Sequence, residues 1–241
     1  LRRYLGIAAG TAGDSAAALD SLMGALRSRL VVRGWLDSLD VSGTFEGNDL
    51  LARAQRASGV RGTIAVQQVK GHATGAVSLQ ADSITTAGIR IETATLAARL
   101  LDKGRAVFSA TGQAGNGTAL RASGEYAVLA DSMDVRLDTL EITIGASRWG
   151  LLLPMRVRTT PAGLTVDTLL LGAGAARIAG SANVPTSAPV RGHLRANGLP
   201  LADLGVLAQL KTPIGGRLGL DLDVAETRTQ PTMNLSGIAD S

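Results

Sequence analysis

Apolar and polar residues alternate with a period of two along most of this chain. Met133, Val135 and Leu137, for example, alternate with Asp134 and Arg136. Segments 26–33 and 217–224 repeat the pattern. Successive strand side chains point to opposite faces, so each segment predicts a strand with one apolar face and one solvated face. Strands of this kind are typical of antiparallel sheets.

Fourteen strands are predicted, and short breaks rich in Gly, Asp, Pro and Ser separate them, as at 102–104 and 160–163. These breaks are too short for helical crossovers, so consecutive strands should pair as an antiparallel meander. The predicted strands cover residues 25–34, 37–46, 60–69, 74–82, 89–101, 105–113, 117–128, 132–144, 154–159, 162–171, 175–184, 190–197, 216–226 and 232–239.

Two segments have apolar residues at helical spacing instead. Residues 199–210 carry leucines three positions apart with Pro200 near the first turn, which predicts a short amphipathic helical insert. Residues 14–26 predict a second short helix, with Leu19, Leu22, Met23 and Leu26 on one side.

Composition favours a thin, extended sheet. Only 2% of the 241 residues are aromatic and 30 are Gly, so the core must consist of Leu, Val, Ile and Ala. Residues 24–32 and 39–43 resemble 216–224 and 233–237, which favours an array that adds strands without closing. The chain does not begin with Met, and we interpret 1–241 as one continuous segment of a longer protein.

Charge and chemistry exclude several classes of function. The net charge is +4, but arginines are spread singly over polar positions among 20 acidic residues, so we expect no nucleic-acid partner. The absence of Cys excludes disulfides, a thiolate nucleophile and cysteine-based zinc sites. No phosphate-binding loop or nucleophile elbow is present. We expect neither an enzyme nor a bound cofactor.

Few polar residues suggest a site. His72 and His193 are far apart in sequence, so a structural or solvent-facing role is favoured over metal binding and no metal partner is expected. Asp221 and Asp223 share one strand face at solvated positions, where no acid–base role is expected.

The two tryptophans are interpreted as packing residues. For Trp35 and Trp149 we favour a place at a bend or an end of the sheet over the anchoring of an acyl chain.

The predicted apolar face is the most informative feature for function. Fourteen strands at a spacing of ~4.8 Å would form a sheet about 65 Å long. Soluble proteins rarely expose such a surface, so it must be covered by a second sheet or curl around an apolar ligand. Sparse bulky side chains favour curling. The predicted lining residues are Leu30, Leu79, Ile91, Leu96, Leu100, Phe108, Leu120, Leu137, Ile142, Leu164, Ile178, Leu194 and Leu220.

Several segments resemble one bacterial family. They are Leu-Pro-Leu-Ala-Asp-Leu at 199–204, Gly-Gly-Arg-Leu-Gly-Leu-Asp-Leu-Asp-Val at 215–224, and segments 33–43, 81–84 and 148–154. In these the chain is similar to the TamB (translocation and assembly module) family of AsmA-like cell-envelope proteins. These motifs are degenerate, and none is a catalytic signature.

The resemblance implies a fold and a location. The family fold is a long sheet bent into an elongated U-shaped apolar trough, also called a β-taco or β-groove. Its members are anchored in the inner membrane of diderm bacteria and cross the periplasm. They resemble bridge-like lipid carriers and are implicated in outer-membrane biogenesis and protein secretion.

The resulting expectation is a non-enzymatic segment that holds or conducts phospholipid acyl chains between the two membranes. An outer-membrane β-barrel partner would bind through a region outside this fragment. One alternative is a scaffold for outer-membrane protein or autotransporter assembly. Another is an extracellular β-solenoid stalk, which predicts a repeat of about 20 residues that we do not find.

Overall fold

The computed structural model describes residues 22–35, 38–52, 55–69, 73–86, 89–129, 131–208, 210, 212, 214–227 and 230–240. These residues form 17 strands of a single sheet and one short helix. All the strand pairs are antiparallel, which confirms the predicted all-β antiparallel fold.

The strands follow the chain from one edge of the sheet to the other. They are β1 Leu22–Trp35, β2 Ser38–Ala52, β3 Gln55–Ser58, β4 Val60–Gln67, β5 Thr74–Ala81, β6 Ser83–Thr86, β7 Ile89–Leu101, β8 Arg105–Ala114, β9 Ala119–Leu129, β10 Ser132–Ile144, β11 Ser147–Leu151, β12 Met155–Thr160, β13 Gly163–Ala173, β14 Ala176–Pro185, β15 Arg191–Pro200, β16 Arg217–Thr227 and β17 Gln230–Asp240.

Three places in the sheet hold two short strands in line. Both β3 and β4 pair with β2, both β5 and β6 pair with β7, and both β11 and β12 pair with β10 and β13. Among the described residues, β1 pairs with β2 alone and β17 with β16 alone, so the sheet is open at both edges. This meander differs from the coil stacking of a β-solenoid.

Each predicted strand overlaps an observed one, while β3, β6 and β11 were missed. These three strands have four or five residues. A break in the alternation separates each of them from the longer strand in line with it. The breaks are at Gly59, Asp82 and 152–154. Segments this short carry too few alternating positions to show a period.

The predicted turns include the hairpin between β7 and β8, where Leu101 pairs with Arg105 across a loop of three residues, 102–104. Lys103 and Gly104 both have positive φ, at 63° and 67°. Glycine adopts this conformation without a steric cost. The oxygen of Gly104 also accepts a hydrogen bond from the Val128 nitrogen, which links this turn to β9.

Bulges keep the apolar side chains on one face. The register shifts between Leu137 and Thr139 in β10, and between Val166 and Leu169 in β13. Strands β7 and β15 shift in the same way. An inserted residue reverses the phase of alternation, so apolar residues three positions apart can share a face.

The helix, α1, spans Leu201–Leu207, inside the predicted segment 199–210. Of the other predicted helix, 14–26, residues 22–26 belong to β1, so that prediction is wrong there, and 14–21 lie outside the described residues. Pairing with β2 decides this, and the extra residue at the register shift between Met23 and Ala25 lies in β2. Apolar residues four positions apart share a face in a strand as well as in a helix, so their spacing alone does not distinguish the two.

Candidate functional site: the apolar face of the sheet

Strand register defines one apolar face across the sheet. A line of directly opposed residues runs from β1 to β12 through Leu30, Gly43, Ile64, Val77, Ala98, Phe108, Gly124, Leu137 and Met155. A second line runs from β11 to β17 through Leu151, Leu171, Ile178, Ala196, Leu220 and Gly237. Directly opposed residues share a face, so apolar character is continuous from edge to edge.

The register places all thirteen predicted lining residues on this face. Leu30, Phe108 and Leu137 lie on the first line, and Ile178 and Leu220 on the second. The other eight join these by strand alternation or by the bulges: Leu79, Ile91, Leu96, Leu100, Leu120, Ile142, Leu164 and Leu194. Whether these side chains contact a lipid stays a prediction.

The lining side chains are accessible. None of the thirteen is buried, and Leu96 is 40% exposed. No second sheet covers the face in the described part of the chain, because all 17 strands belong to one sheet. A contiguous accessible apolar surface of this kind marks a binding surface.

Small residues shape the face between the larger ones. Gly62 lies opposite Phe45, and the Phe45 ring occupies the space that a Gly62 Cβ would fill. Glycine here gives the ring of its cross-strand neighbour room to lie against the sheet.

One end of the face is covered. A buried cluster lies there, formed by Ile144, Trp149, Leu171 and Ala176. Half-buried apolar residues pack against it, among them Leu199 and the α1 residue Val206. α1 contacts β10 and β15. Among the described residues, this cluster forms a locally closed core beneath α1, among β10, β11, β13 and β14.

A buried carboxylate joins α1 to β11. Asp203 is only 4% exposed, and it accepts hydrogen bonds from Ser147 Oγ at 2.8 Å and from Trp149 Nε1 at 2.9 Å. Both carboxylate oxygens are therefore satisfied without a cation. Sequence reasoning missed this link, since Asp203 looks like an ordinary acidic residue in the first turn of a helix.

The two tryptophans differ. Trp149 is 2% exposed in the buried cluster, where it packs at the end of the sheet as expected. Trp35 is 85% exposed at the end of β1, so the packing role predicted for it is wrong among the described residues. Its strand is at an edge of the sheet, and no element of the described part of the chain covers the indole.

The opposite face is polar, and its side chains pair with one another across strands or within one strand. Hydroxyl groups pair at 2.6–2.7 Å in Thr63–Ser78, Thr95–Thr111 and Ser123–Thr139. Arginines pair with carboxylates at 2.6–3.0 Å in Arg61–Asp82, Arg136–Asp138, Arg148–Glu141 and Arg158–Asp134. This face is therefore suited to solvent.

Two of these ion pairs shift the pKa of a partner. The hydrogen bond and the charge of Arg148 lower the pKa of Glu141 below its ordinary 4.5. The hydrogen bond to Asp138, with the charges of Asp138 and Glu125, raises the pKa of Arg136. Both shifts favour the charged forms, and all these groups are solvent-exposed, so each pair contributes modestly.

One histidine joins two carboxylates on the polar face. His193 in β15 lies directly opposite Asp223 in β16, and its Nδ1 is 2.7 Å from Asp223 Oδ1 and 3.7 Å from Asp221 Oδ1. The sequence placed all three at solvated positions but gave no sign that they meet. His72 lies outside the described residues.

Comparison with protein-family models, curated proteins and solved structures finds no match for this chain. Within the described part, no helix has both the length and the apolar character that crossing a bilayer requires. The register of the sheet and the chemistry of its two faces are therefore the basis for any functional conclusion.

Proposed function

We propose that this chain is a non-enzymatic segment whose sheet holds phospholipid acyl chains on its apolar face and leaves the headgroups in solvent. The observation that carries the proposal is the apolar face that runs from β1 to β16, accessible outside the buried cluster under α1 and without a second sheet over it in the described residues. A bound lipid would satisfy a surface that is otherwise unfavourable in water.

The relief of the face suits an acyl chain. Gly43, Ala98 and Gly124 are interspersed with larger side chains along the first line of opposed residues, so bulky groups do not crowd this line. Each buried methylene of a lipid gains about 0.8 kcal/mol. The energy would come from length of contact rather than from a specific polar anchor, so the site would accept lipids of several headgroups.

We further propose that the sheet curves into a trough. Bulges in β7, β10, β13 and β15 bend and twist a sheet locally. α1 has seven residues, or about 10 Å of helix, yet it contacts β10 and β15. Flat spacing would place these two strands about 19 Å apart, so curvature at this end is favoured.

The wider role rests on the resemblance to the TamB family. In this proposal the segment lies in the periplasm of a diderm bacterium and belongs to a bridge between the inner and outer membranes. The inner-membrane anchor and the outer-membrane barrel partner would be supplied by other parts of the protein.

The proposal is tested by paired arginine substitutions at neighbouring positions of β7. Leu96 is on the apolar face and Ala97 on the polar face, and both are exposed, so Leu96→Arg and Ala97→Arg should both fold. In native mass spectrometry of protein purified from a bacterial envelope, we expect phospholipid on the wild type and Ala97→Arg, and loss of it from Leu96→Arg.

Leu137→Arg extends the test to β10, with far-UV circular dichroism to establish that the sheet remains. A wild-type protein that carries no lipid would contradict the proposal. So would equal lipid occupancy of the Leu96→Arg and Ala97→Arg proteins, because the lipid would then be bound elsewhere.

The open edge at β1 favours one second function, a scaffold for assembling outer-membrane proteins. Among the described residues β1 pairs only with β2, and Leu26, Leu30 and Val32 are exposed along it. An unpaired strand edge can accept an incoming strand by β-augmentation. Photocrosslinks from Val31 to nascent barrel proteins, with none from Leu96 to lipid, would favour this function.

A further inference from the structure

One carboxylate on the polar face has a histidine as its partner instead of an arginine. Asp82, Asp138 and Glu141 each pair with an arginine at 2.6–2.8 Å. Between β15 and β16, in contrast, the residue closest to Asp223 is His193, an imidazole that binds metal ions when it is neutral. This difference marks a distinct cluster on the polar face.

The three ligand atoms of this cluster converge. His193 Nδ1, one oxygen of Asp221 and one of Asp223 all lie within 4.8 Å of one another. A zinc ion with tetrahedral bonds of about 2.0–2.1 Å needs ligand atoms about 3.3 Å apart. The distances of 2.7 and 3.7 Å from His193 Nδ1 bracket that value, so small side-chain rotations would produce the geometry.

We propose that His193, Asp221 and Asp223 form a binding site for a divalent first-row transition-metal ion such as Zn²⁺. The imidazole nitrogen favours such ions over Ca²⁺ and Mg²⁺, which prefer oxygen ligands alone. All three side chains are partly or largely exposed, so water completes the coordination. The site is on the polar face and does not depend on the proposed lipid function.

The surroundings support this arrangement. Arg195 Nε approaches Asp221 at 3.8 Å through Oδ2, and Oδ1 remains directed to His193. At 3.8 Å Arg195 makes no hydrogen bond to this carboxylate, so the guanidinium does not occupy the side of Asp221 that faces His193. Beside the cluster lies an open depression, to whose lining Asp167, Ser181 and Asn183 contribute polar groups and Val166 and Val224 apolar ones.

Isothermal titration calorimetry with ZnCl₂, on the full chain after removal of metal by EDTA, tests the site. We expect one equivalent of Zn²⁺ to bind the wild type, and His193→Ala and Asp223→Asn each to weaken the affinity at least about tenfold. Ca²⁺ should bind more weakly than Zn²⁺. These positions are exposed, so the substitutions leave the fold intact.

Two matched controls make the result specific. Asp82→Asn removes an exposed carboxylate of the same face, and His72→Ala removes the other histidine; we expect wild-type affinity from both. As a second readout, the imidazole proton resonances of His193 should shift or broaden with Co²⁺.

The proposal is overturned if wild-type Zn²⁺ binding is no tighter than a Kd of about 1 mM. It is also overturned if His193→Ala binds Zn²⁺ as the wild type does, or if His72→Ala alone abolishes binding. In each case the cluster is a simple cross-strand hydrogen-bonded pair.

Discussion

At the residue scale, Thr118 carries an unused polar group. Its Oγ1 is buried and has no hydrogen-bond partner among the described residues, although its backbone nitrogen bonds to Asn116 Oδ1 at 3.1 Å. A buried hydroxyl without a partner costs about 1–3 kcal/mol. We therefore expect Thr118→Val, which removes the hydroxyl and keeps the shape, to raise the free energy of unfolding by about 1 kcal/mol.

Urea denaturation followed by circular dichroism measures this change, and Thr118→Ser is the control, because it keeps the hydroxyl and loses a methyl group. A Thr118→Val protein that is less stable than the wild type would show that the hydroxyl has a partner in solution.

The Glu141–Arg148 pair predicts a dependence of stability on pH. Arg148 lowers the pKa of Glu141 in the folded state, so the pair stabilises the fold above the ordinary carboxyl pKa, and this contribution disappears as the pH falls through the lowered value. Arg148→Ala should lower the urea midpoint at pH 7, and this effect should become smaller as the pH is lowered below the ordinary carboxyl pKa of 4.5. An effect that does not change with pH would mean that Arg148 acts through packing alone.

At the scale of elements, the hydrogen bonds to Asp203 hold α1 against the sheet. Asp203→Ala leaves Trp149 Nε1 and Ser147 Oγ without an acceptor, so we expect a loss of about 2–4 kcal/mol in the free energy of unfolding. Asp203→Asn keeps one acceptor oxygen and should lose less. Urea denaturation of the three proteins measures the order, and a fully stable Asp203→Ala would show that α1 is held by apolar packing alone.

Tryptophan emission reports on the same element separately. Trp35 is exposed and Trp149 buried, so Trp35→Phe should leave one blue-shifted emission that acrylamide quenches poorly. Asp203→Ala in that background should shift the emission to longer wavelength if α1 detaches. An unchanged spectrum would place α1 on the cluster even without its hydrogen bonds.

At the scale of the whole molecule, stability should be uneven along the sheet. The buried cluster lies under α1 among β10, β11, β13 and β14, whereas the described side chains of β1 are all exposed. Strands of an open meander contact only their neighbours, so each region relies on local burial. Hydrogen–deuterium exchange should be slowest in peptides from 140–180 and fastest in 22–35, and uniform protection would contradict this.

The apolar face is also a property of the whole molecule, because no single residue or strand creates it. A strand of alternating residues has an apolar face by itself, but a surface large enough for an acyl chain exists only when the strands align in register. A one-residue slip at any strand would turn its leucines toward the solvated face.

The sequence by itself determined the strands and their orientation. Alternation is a local property of each segment, so it predicted strands that overlap every long strand of the sheet, and all thirteen lining residues occupy one face. It did not predict β3, β6 and β11, because four or five residues show no clear period. It assigned residues 22–26 to a helix, because apolar residues four positions apart share a face in both a helix and a strand.

Only the tertiary structure decided which distant residues meet. The carboxylate of Asp203 lies 54 positions from Trp149 in the sequence, and the imidazole of His193 lies 30 positions from Asp223. Register between strands and the docking of α1 bring each pair within hydrogen-bond distance. These contacts depend on how the whole chain is arranged, and no periodicity within one segment contains that information.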